Sequence, residues 1–203
     1  MTKQEKLEKL NLEMNESCLC ELKATAKNPV PGFGNANAEI MFIGEAPGKT
    51  EDEQGLPFVG AAGKFLDTML ASVNLKREDV YITNVVKYRP PNNRDPFPEE
   101  VEACFPWLRA QVELIDPTLI VLLGRHALMR FLPKLRISEV HGKIVHAKVL
   151  GLGPRTYFPL YHPAVALYQG NSRDLLLEDF SKIPEILQKE KPARELRENT
   201  EKM

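Results

Sequence analysis

Short, continuously apolar runs alternate with segments of helical periodicity along most of the chain. Four runs favour β-strands, at Ile40–Ile43, Val80–Val86, Leu119–Leu123 and Thr156–Leu160. Loops that contain glycine or proline follow the first three runs, and helical patterns follow those loops. Strands that are apolar on both faces need cover on both sides. The alternation therefore predicts an α/β fold, a three-layer α/β/α sandwich with a central, mainly parallel, four-stranded sheet.

The helical segments have recognisable boundaries. Residues 1–16 place leucines among charges, as a short amphipathic helix does, and Ala61–Val73 places its apolar side chains on one face. Pro98 favours the start of another helix, with two acids in its first turn, where they interact well with the helix dipole. Ser172 is a candidate cap for the last long helix.

Composition adds bounds on domain organisation and charge. The chain has 203 residues, 43% of them hydrophobic, which suits one compact domain, and we expect that domain to span residues 1–188. The charged segment 189–203 has almost no apolar residues and is typical of a disordered tail. The formal net charge of −1 does not indicate a nucleic-acid binder, although a neutral total can hide a basic face.

The chain shows neither a signal peptide nor the roughly 20 apolar residues that a membrane-spanning helix needs. We therefore expect a cytoplasmic protein of the bacterial or archaeal kind, without membrane association. Its three cysteines, Cys18, Cys20 and Cys104, then face a reducing environment. Metal binding or simple burial is more common there than a disulfide.

Residues with chemical potential gather after the predicted strands. Ligands of open parallel sheets bind at the carboxyl ends of the strands. That rule selects the loops that begin at Gly44, Asn84, Gly124 and His162. The first loop, residues 44–63, is rich in glycine, so its backbone N–H groups can approach a ligand closely. Its spacing differs from that of a phosphate-binding P-loop.

Three strings resemble family four of the uracil-DNA glycosylases. They are GEAPG with the later GLPFVG in residues 44–60, ITNVVKYRPPNNRDP in residues 82–96, and YHPA in residues 161–164. The resemblance extends over about residues 17–187 and implies the fold of that superfamily. It also implies a DNA repair enzyme that flips uracil out of DNA and hydrolyses its N-glycosidic bond, leaving an abasic site.

Cleavage of that bond leaves negative charge on the base and positive charge on the sugar. The site needs donors at the base oxygen and an acidic or water-activating group near the sugar. By resemblance, the catalytic residues are His162 beside uracil O2, Glu45 at the attacking water, and Asn84 on the Watson–Crick edge. Phe58 is the stacking aromatic. The other substrate contacts that the resemblance implies are the two residues that shape the pocket against the thymine methyl, Gly48 and Glu51, together with Gly44, Ala46 and Asn93.

Each of these residues also has an ordinary structural interpretation. Phe58 is a candidate core aromatic, and Asn84 and His162 are candidate turn residues. Glu45 is a candidate salt-bridge partner, which contributes little by itself. Taken singly, each structural interpretation is favoured, but their joint occurrence at strand ends and in family order favours the site. The remaining histidines receive no functional assignment: His126, His141 and His146.

Basic side chains flank the predicted site and are candidates for phosphate contacts. They are Lys49, Lys64, Lys87, Arg89, Arg94 and Arg125. The stretch after His162 resembles the family's loop that enters the duplex beside the flipped base. Leu167 or Tyr168 is the candidate wedge that fills the vacated stack. Packing of both side chains against the last helix is an equal alternative.

Typical members of the family hold a 4Fe–4S cluster on four cysteines. By resemblance, Cys20 and Cys104 stand at the second and fourth positions, whereas Ser17 and Tyr88 stand at the first and third, with Cys18 one place off. Such clusters normally need four ligands, mostly thiolate. We therefore expect no cofactor: the cluster is lost or labile, the three cysteines are remnant ligands, and the protein is colourless or loses colour in air.

The resemblance implies a monofunctional enzyme that acts on uracil-containing DNA, and we expect it to be a monomer. The charged tail is a candidate docking segment for repair proteins. The loop after the second predicted strand has neither the histidine nor the insertion of a branch that traps DNA covalently, so we expect turnover. Two alternatives remain open: a DNA-binding module that has lost catalysis, and an enzyme acting on free nucleosides or another deaminated base.

Overall fold

A six-stranded sheet lies at the centre of the computed structural model, which describes residues 1–149, 151–168 and 170–200, and side chains as far as residue 191. The strands are β1 (Phe33–Gly34), β2 (Ile40–Gly44), β3 (Tyr81–Asn84), β4 (Leu119–Leu123), β5 (Val145–Lys148) and β6 (Pro154–Leu160). Their order across the sheet is β1-β3-β2-β4-β6-β5. The four central strands run parallel, which confirms the predicted core of the sheet.

The sheet has two short edge strands, β1 and β5, that were not predicted from the sequence. β1 pairs antiparallel with β3, and β5 pairs antiparallel with β6. β1 has only two residues, and in β5 partly buried and exposed positions alternate. Edge strands are often short and polar because their outer side faces water. They therefore lack the continuous apolar run by which the central strands are recognised.

Helices cover both faces of the sheet. They are α1 (Lys3–Ser17), α2 (Lys49–Gln54), α3 (Ala61–Ser72), α4 (Pro98–Ile115), α5 (Arg125–Phe131), α6 (Ile137–Val140), α7 (Gly170–Ser181) and α8 (Ile183–Thr200). Side chains of β2 alternate between two cores: Met41 and Ile43 pack with α1, α4 and α5, whereas Ile40 and Phe42 pack with α3 and α7. This alternation produces the predicted three layers. Among the described residues, no helix combines the length and the apolar character needed to cross a bilayer.

The C-terminal region differs from the expectations. Ser172 lies inside α7, which begins at Gly170, so it is not the cap. The segment expected to be disordered belongs to α8 as far as Thr200, and its last residues, 201–203, lie outside the described part. Glu190 accepts a hydrogen bond from Thr156 at 2.7 Å, which ties this helix to β6. Lys, Glu, Arg and Gln are good helix formers, so a polar composition does not by itself end a helix.

Candidate active site

A cavity of about 520 Å³ opens at the carboxyl ends of the parallel strands. Its lining combines residues from the loop after β2, the end of β3 and the turn after β6. It includes all but one of the substrate contacts inferred from the sequence: Glu45, Ala46, Gly48, Glu51, Phe58, Asn84, Asn93 and His162. The exception, Gly44, is buried beneath the cavity, where a Cβ would lie 2.5 Å from Asn84 Oδ1 and 2.5 Å from Phe58 Cζ. No side chain fits there, so the glycine keeps the amide and the ring together.

Asn84 is the last residue of β3 and is almost completely buried. Its place is fixed by the parallel pairing with Gly44, which continues when the Val85 N–H donates to the Gly44 carbonyl at 2.9 Å. Its side-chain Oδ1 has no hydrogen-bond partner among the described residues, yet the side chain lines the cavity. A buried polar atom without a partner costs about 1–3 kcal/mol. A turn-forming asparagine would bond to nearby backbone, so the arrangement favours a ligand-reading amide.

Phe58 is held beside the cavity by its loop. Its backbone is left-handed, with φ of 53°, and the Arg77 guanidinium donates to its carbonyl. The Glu51 carboxylate accepts from the N–H groups of Val59 and Gly60 at 3.0 and 2.8 Å. Glu51 therefore braces the loop that carries the aromatic ring. Phe58 also packs into the core, so its structural and its functional interpretation both describe it.

His162 begins the 3₁₀ turn Pro163–Leu167, and its Nδ1 accepts the backbone N–H of Ala164 at 3.2 Å. A neutral imidazole with Nδ1 as acceptor carries its proton on Nε2. Burial lowers the pKa of His162 to about 4, so the ring is neutral at physiological pH. Its ring centroid lies 5.6 Å from that of Phe58. His162 thus offers a neutral N–H donor in the cavity.

Glu45 follows β2 and lines the cavity with a partly buried carboxylate. Burial, and then the charge of Asp95, raise the pKa of Glu45 to about 7, while Arg125 opposes the shift. His126 Nε2 lies 3.6 Å from a Glu45 oxygen and 3.3 Å from an Asp95 oxygen. A carboxylate with a pKa near neutrality is well suited to accept a proton from water.

His126 and Asp95 were not assigned to the site from the sequence. Their ligand atoms and those of Glu45 lie within 4.8 Å of one another. A signal was present for His126, because it stands two residues after Gly124, which begins one of the four loops that the strand-end rule selects. The local sequence gave no comparable signal for Asp95, because only the fold of its loop brings the Asp95 carboxylate near Glu45 and His126.

The structure corrects one predicted DNA contact. Lys87 is fully buried, and its ammonium donates to Thr83 Oγ1 at 2.6 Å, Gln111 Oε1 at 2.8 Å and the Asn84 carbonyl at 2.9 Å. It cannot reach a phosphate, so that prediction is wrong. The physical reason is that these protein oxygens take the place of water around the charge. Lys87 instead supports the end of β3 from which Asn84 projects.

The other predicted cations fall into two groups. Lys49 and Lys64 are exposed, on α2 and α3 respectively. The remaining three are engaged with neighbours: Arg89 donates to Asn93 at 2.8 Å, Arg94 forms two bonds with Glu100 at 2.8 and 2.5 Å, and Arg125 pairs with Asp95 at 3.0 Å.

The candidate wedge side chains face outward. Leu167 is 45% exposed and Tyr168 is 84% exposed, so neither is packed away against the last helix. Tyr168 also lines the cavity. The exposure of two large apolar side chains at the rim favours the wedge over the structural alternative.

The three cysteines meet at one buried place. The Cys18 and Cys20 thiols donate to the carbonyls of Ala103 and Glu100, each at 3.7 Å. Both thiols lie near Cys104, whose thiol lowers the pKa of Cys18 to about 6. The Lys87 N–H donates to Cys104 Sγ at 3.4 Å. Tyr88 belongs to the same buried cluster as the three cysteines. Three soft ligands from the end of α1, the following segment and α4 therefore fit an iron–sulfur cluster, which when bound supplies a cross-link between these segments.

Comparisons with known proteins agree with this geometry. Residues 31–186 match the model of the uracil DNA glycosylase superfamily. The chain is 49% identical to a type-4 uracil-DNA glycosylase of Archaeoglobus fulgidus, over 93% of the chain and 97% of the relative. It is 48% identical to that of Saccharolobus solfataricus, over 86% and 83%, and 41% identical to that of Thermotoga maritima, over 93% and 98%.

The expectation that this chain holds no cofactor is wrong. The relatives at 41–49% identity are type-4 enzymes, and typical members of family four hold a 4Fe–4S cluster. Three thiols are assembled, although Ser17 and Tyr88 stand at two of the family's positions. A count of the family's cysteine positions left Cys18 out, because it lies one place away from the expected position. In the structure α1 ends at Ser17, and the Cys18 thiol that follows is buried. The prediction of a protein that is colourless or loses its colour in air depended on that expectation and is wrong for the same reason.

The agreement extends well beyond local strings. The matched residues run from before β2 into α8, and they contain the cavity, its glycine floor and the residues that line it. The chain therefore belongs to the uracil DNA glycosylase superfamily.

Proposed function

We propose that this protein removes uracil from DNA by hydrolysing the N-glycosidic bond, releasing free uracil and leaving an abasic site. The observation that carries the proposal is the buried, unpartnered Oδ1 of Asn84, which lines the cavity together with Glu45 and His162. Relatives of nearly the same length that are named uracil-DNA glycosylases support it.

Recognition of the flipped base begins with the amide of Asn84. Its Oδ1 accepts from uracil N3–H and its Nδ2 donates to uracil O4. Phe58 covers one face of the base, and the absence of a side chain at Gly44 leaves room for the contact between ring and amide. Gly48 and Glu51 lie together beside the cavity, where a Cβ on Gly48 would lie 2.8 Å from a Glu51 oxygen, and we assign them to exclusion of the thymine methyl.

Bond cleavage places opposite charges on the two fragments. The bonding electrons leave with uracil N1, and His162 Nε2–H donates to uracil O2, where negative charge develops. Glu45 accepts a proton from the water that bonds to the sugar C1′. Water is the nucleophile in this scheme, since the amine of Lys87 is held by buried oxygens, so the proposed enzyme is monofunctional.

Polymeric DNA is the proposed substrate, in preference to free nucleosides. The exposed cations Lys49 and Lys64 and the exposed Tyr168 have no role with a free nucleoside, but suit phosphates and a vacated base stack. We retain as predictions a cytoplasmic location, a monomeric state and docking of repair proteins through the C-terminal segment.

Substitution of Asn84 tests the proposal. Asn84→Ala removes both contacts and should lower the rate of uracil release about 30-fold or more, since uracil N3–H and O4 are then left unpaired at roughly 1–3 kcal/mol each. Asn84→Asp replaces the donor with a second acceptor, so uracil release should fall and some cytosine release should appear, because cytosine N4–H₂ can donate to the acid. The measurement is the initial rate of alkali-sensitive sites in oligonucleotides that contain one uracil or one cytosine, without added metal.

Asn15→Asp, which makes the same change in charge at an exposed position of α1, serves as the matched control and should leave both rates unchanged. Near-normal uracil release by Asn84→Ala would remove Asn84 from the recognition site. A wild-type protein that binds uracil-containing DNA but leaves it intact would favour the binding-module alternative.

A further inference from the structure

Tyr88 has an unusual environment for a tyrosine. It is 1% exposed, and its Oη has no hydrogen-bond partner among the described residues. Tyr88 belongs to the same buried cluster as Cys18, Cys20 and Cys104. It directly follows Lys87, whose backbone N–H donates to Cys104 Sγ at 3.4 Å, and its phenol lies within electrostatic reach of all three thiols. A buried hydroxyl without a partner is costly, and buried tyrosines usually find one. The position therefore calls for a group that the protein alone does not supply.

Burial alone does not explain this environment. Tyr157 is also fully buried with an unpartnered Oη, but it packs against Phe131, with ring centroids 5.6 Å apart, in the apolar core. Tyr88 differs because three metal-binding side chains of its buried cluster lie within electrostatic reach of its phenol. Tyr157 is therefore a matched reference for the effect of removing a buried hydroxyl.

Other side chains near the cysteines are already engaged or turned away. The Glu100 carboxylate binds the Arg94 guanidinium and accepts the Phe97 N–H at 2.7 Å. The Lys87 ammonium is surrounded by oxygens. Ser17, at the family's first cysteine position, is exposed on α1. Among these candidates, Tyr88 is the one whose oxygen is both buried and unpartnered.

We propose that Cys18, Cys20 and Cys104 bind three irons of a 4Fe–4S cluster and that the Tyr88 oxygen binds the fourth. On binding, the three thiols and the phenol each lose a proton to solvent. Each resulting thiolate or phenolate forms a bond to one iron and displaces the exchangeable terminal ligand of that iron, without electron transfer. The ligand set is thus three thiolates and one phenolate, in a family whose typical members use four thiolates.

Four full-length proteins, purified without exposure to air, test this assignment: wild type, Tyr88→Phe, Tyr88→Cys and Tyr157→Phe. The measurements are iron and sulfide per chain, resonance Raman spectra for iron-bound tyrosinate, and electron paramagnetic resonance. Wild type should hold about four irons per chain and show tyrosinate vibrations. Tyr88→Phe should lose those vibrations and one iron, and show the paramagnetic signal of an oxidised three-iron cluster.

Tyr88→Cys should hold about four irons per chain with no tyrosinate vibrations, and Tyr157→Phe should match wild type. If Tyr88→Phe does not fold, Tyr88→Cys decides, because it exchanges the ligand and keeps the site filled. Three results would overturn the proposal: wild type without iron, Tyr88→Phe with the full iron content and an unchanged spectrum, or tyrosinate vibrations that persist in Tyr88→Cys. None of these readouts depends on uracil release, so the ligand assignment and the catalytic function fail separately.

Discussion

At the scale of residues, burial in one cavity moves two titrating groups in opposite directions. It raises the pKa of Glu45 to about 7 and lowers that of His162 to about 4. Burial disfavours the charged form of each group. For Glu45 that form is the carboxylate, and for His162 it is the protonated imidazolium. Near neutral pH the cavity can therefore hold a neutral N–H donor and a carboxylate that accepts a proton, the pair that uracil release needs.

This arrangement predicts the pH dependence of the reaction. Glu45 must be ionised to accept a proton, and its pKa is raised, so kcat/KM should fall as pH drops below about 7 and level off above it. His162 stays neutral until pH approaches about 4 and adds no change between those values. Glu45→Gln should remove the acidic limb and lower the rate about a hundredfold or more. The measurement is kcat/KM for uracil release from pH 5 to pH 9, a range set around the ordinary pKa values of acids and histidine.

Asp95→Asn tests the direction in which the pKa of Glu45, and with it the acidic limb of the profile, should move. The groups facing the Glu45 carboxylate are Asp95, His126 and Arg125. Removing the negative charge of Asp95 should lower the pKa of Glu45 and move the acidic limb to lower pH. A limb that stays in place in Asp95→Asn, or that persists in Glu45→Gln, contradicts the assignment of Glu45 as the base.

At the scale of elements, the turn after β6 connects the cavity to the DNA. His162 stands at its start, and Leu167 and Tyr168 at its end are exposed. If Tyr168 fills the vacated stack, Tyr168→Ala should lower kcat/KM about tenfold on duplex DNA, because base stacking is lost. The loss should be smaller on single strands, where no stack must be opened. The measurement is uracil release from matched duplex and single-stranded oligonucleotides.

Two further variants separate the candidates. Leu167→Ala tests the neighbouring side chain in the same assay. Leu12→Ala, an exposed leucine on α1, controls for loss of surface apolar area and should change neither rate. Equal losses on duplex and single-stranded DNA would place Tyr168 in substrate contact but not in the stack.

At the scale of the whole molecule, a net charge of −1 hides a local distribution that suits DNA. Lys49 and Lys64 are exposed beside the cavity, whereas Lys87 is buried and Arg94 is paired. Binding should weaken with salt, because each phosphate contact releases counterions. Lys49→Ala and Lys64→Ala should each reduce the slope of log affinity against log salt by about one.

The measurement is fluorescence anisotropy with uracil-containing duplex in a Glu45→Gln background, over a range of salt concentrations. Lys9→Ala, an exposed lysine on α1, is the matched control and should leave the slope unchanged. A salt-independent affinity would argue against polymeric DNA as the substrate.

Local sequence predicted the central architecture and most of the cavity lining. The run Leu119–Leu123 coincides with β4, and α4 begins at Pro98. Apolar runs and a helix-starting proline act through neighbouring residues, so they can be read without knowing the fold. The carboxyl ends of parallel strands meet at one edge, and therefore Glu45, Asn84 and His162 could be expected to lie together.

Tertiary structure alone decided the environments of individual polar groups. The sequence suggested that Lys87 contacts a phosphate. In the folded chain its ammonium is buried and donates hydrogen bonds to Thr83, Asn84 and Gln111. Cys18 joined Cys104 although they lie far apart in the chain, and ligand counting had wrongly excluded the cluster. Sequence by itself determined which segments form strands and helices, because backbone bonding and apolar burial follow local patterns. Charge state, accessibility and ligand sets depend on segments distant in sequence, so only the packed chain determines them.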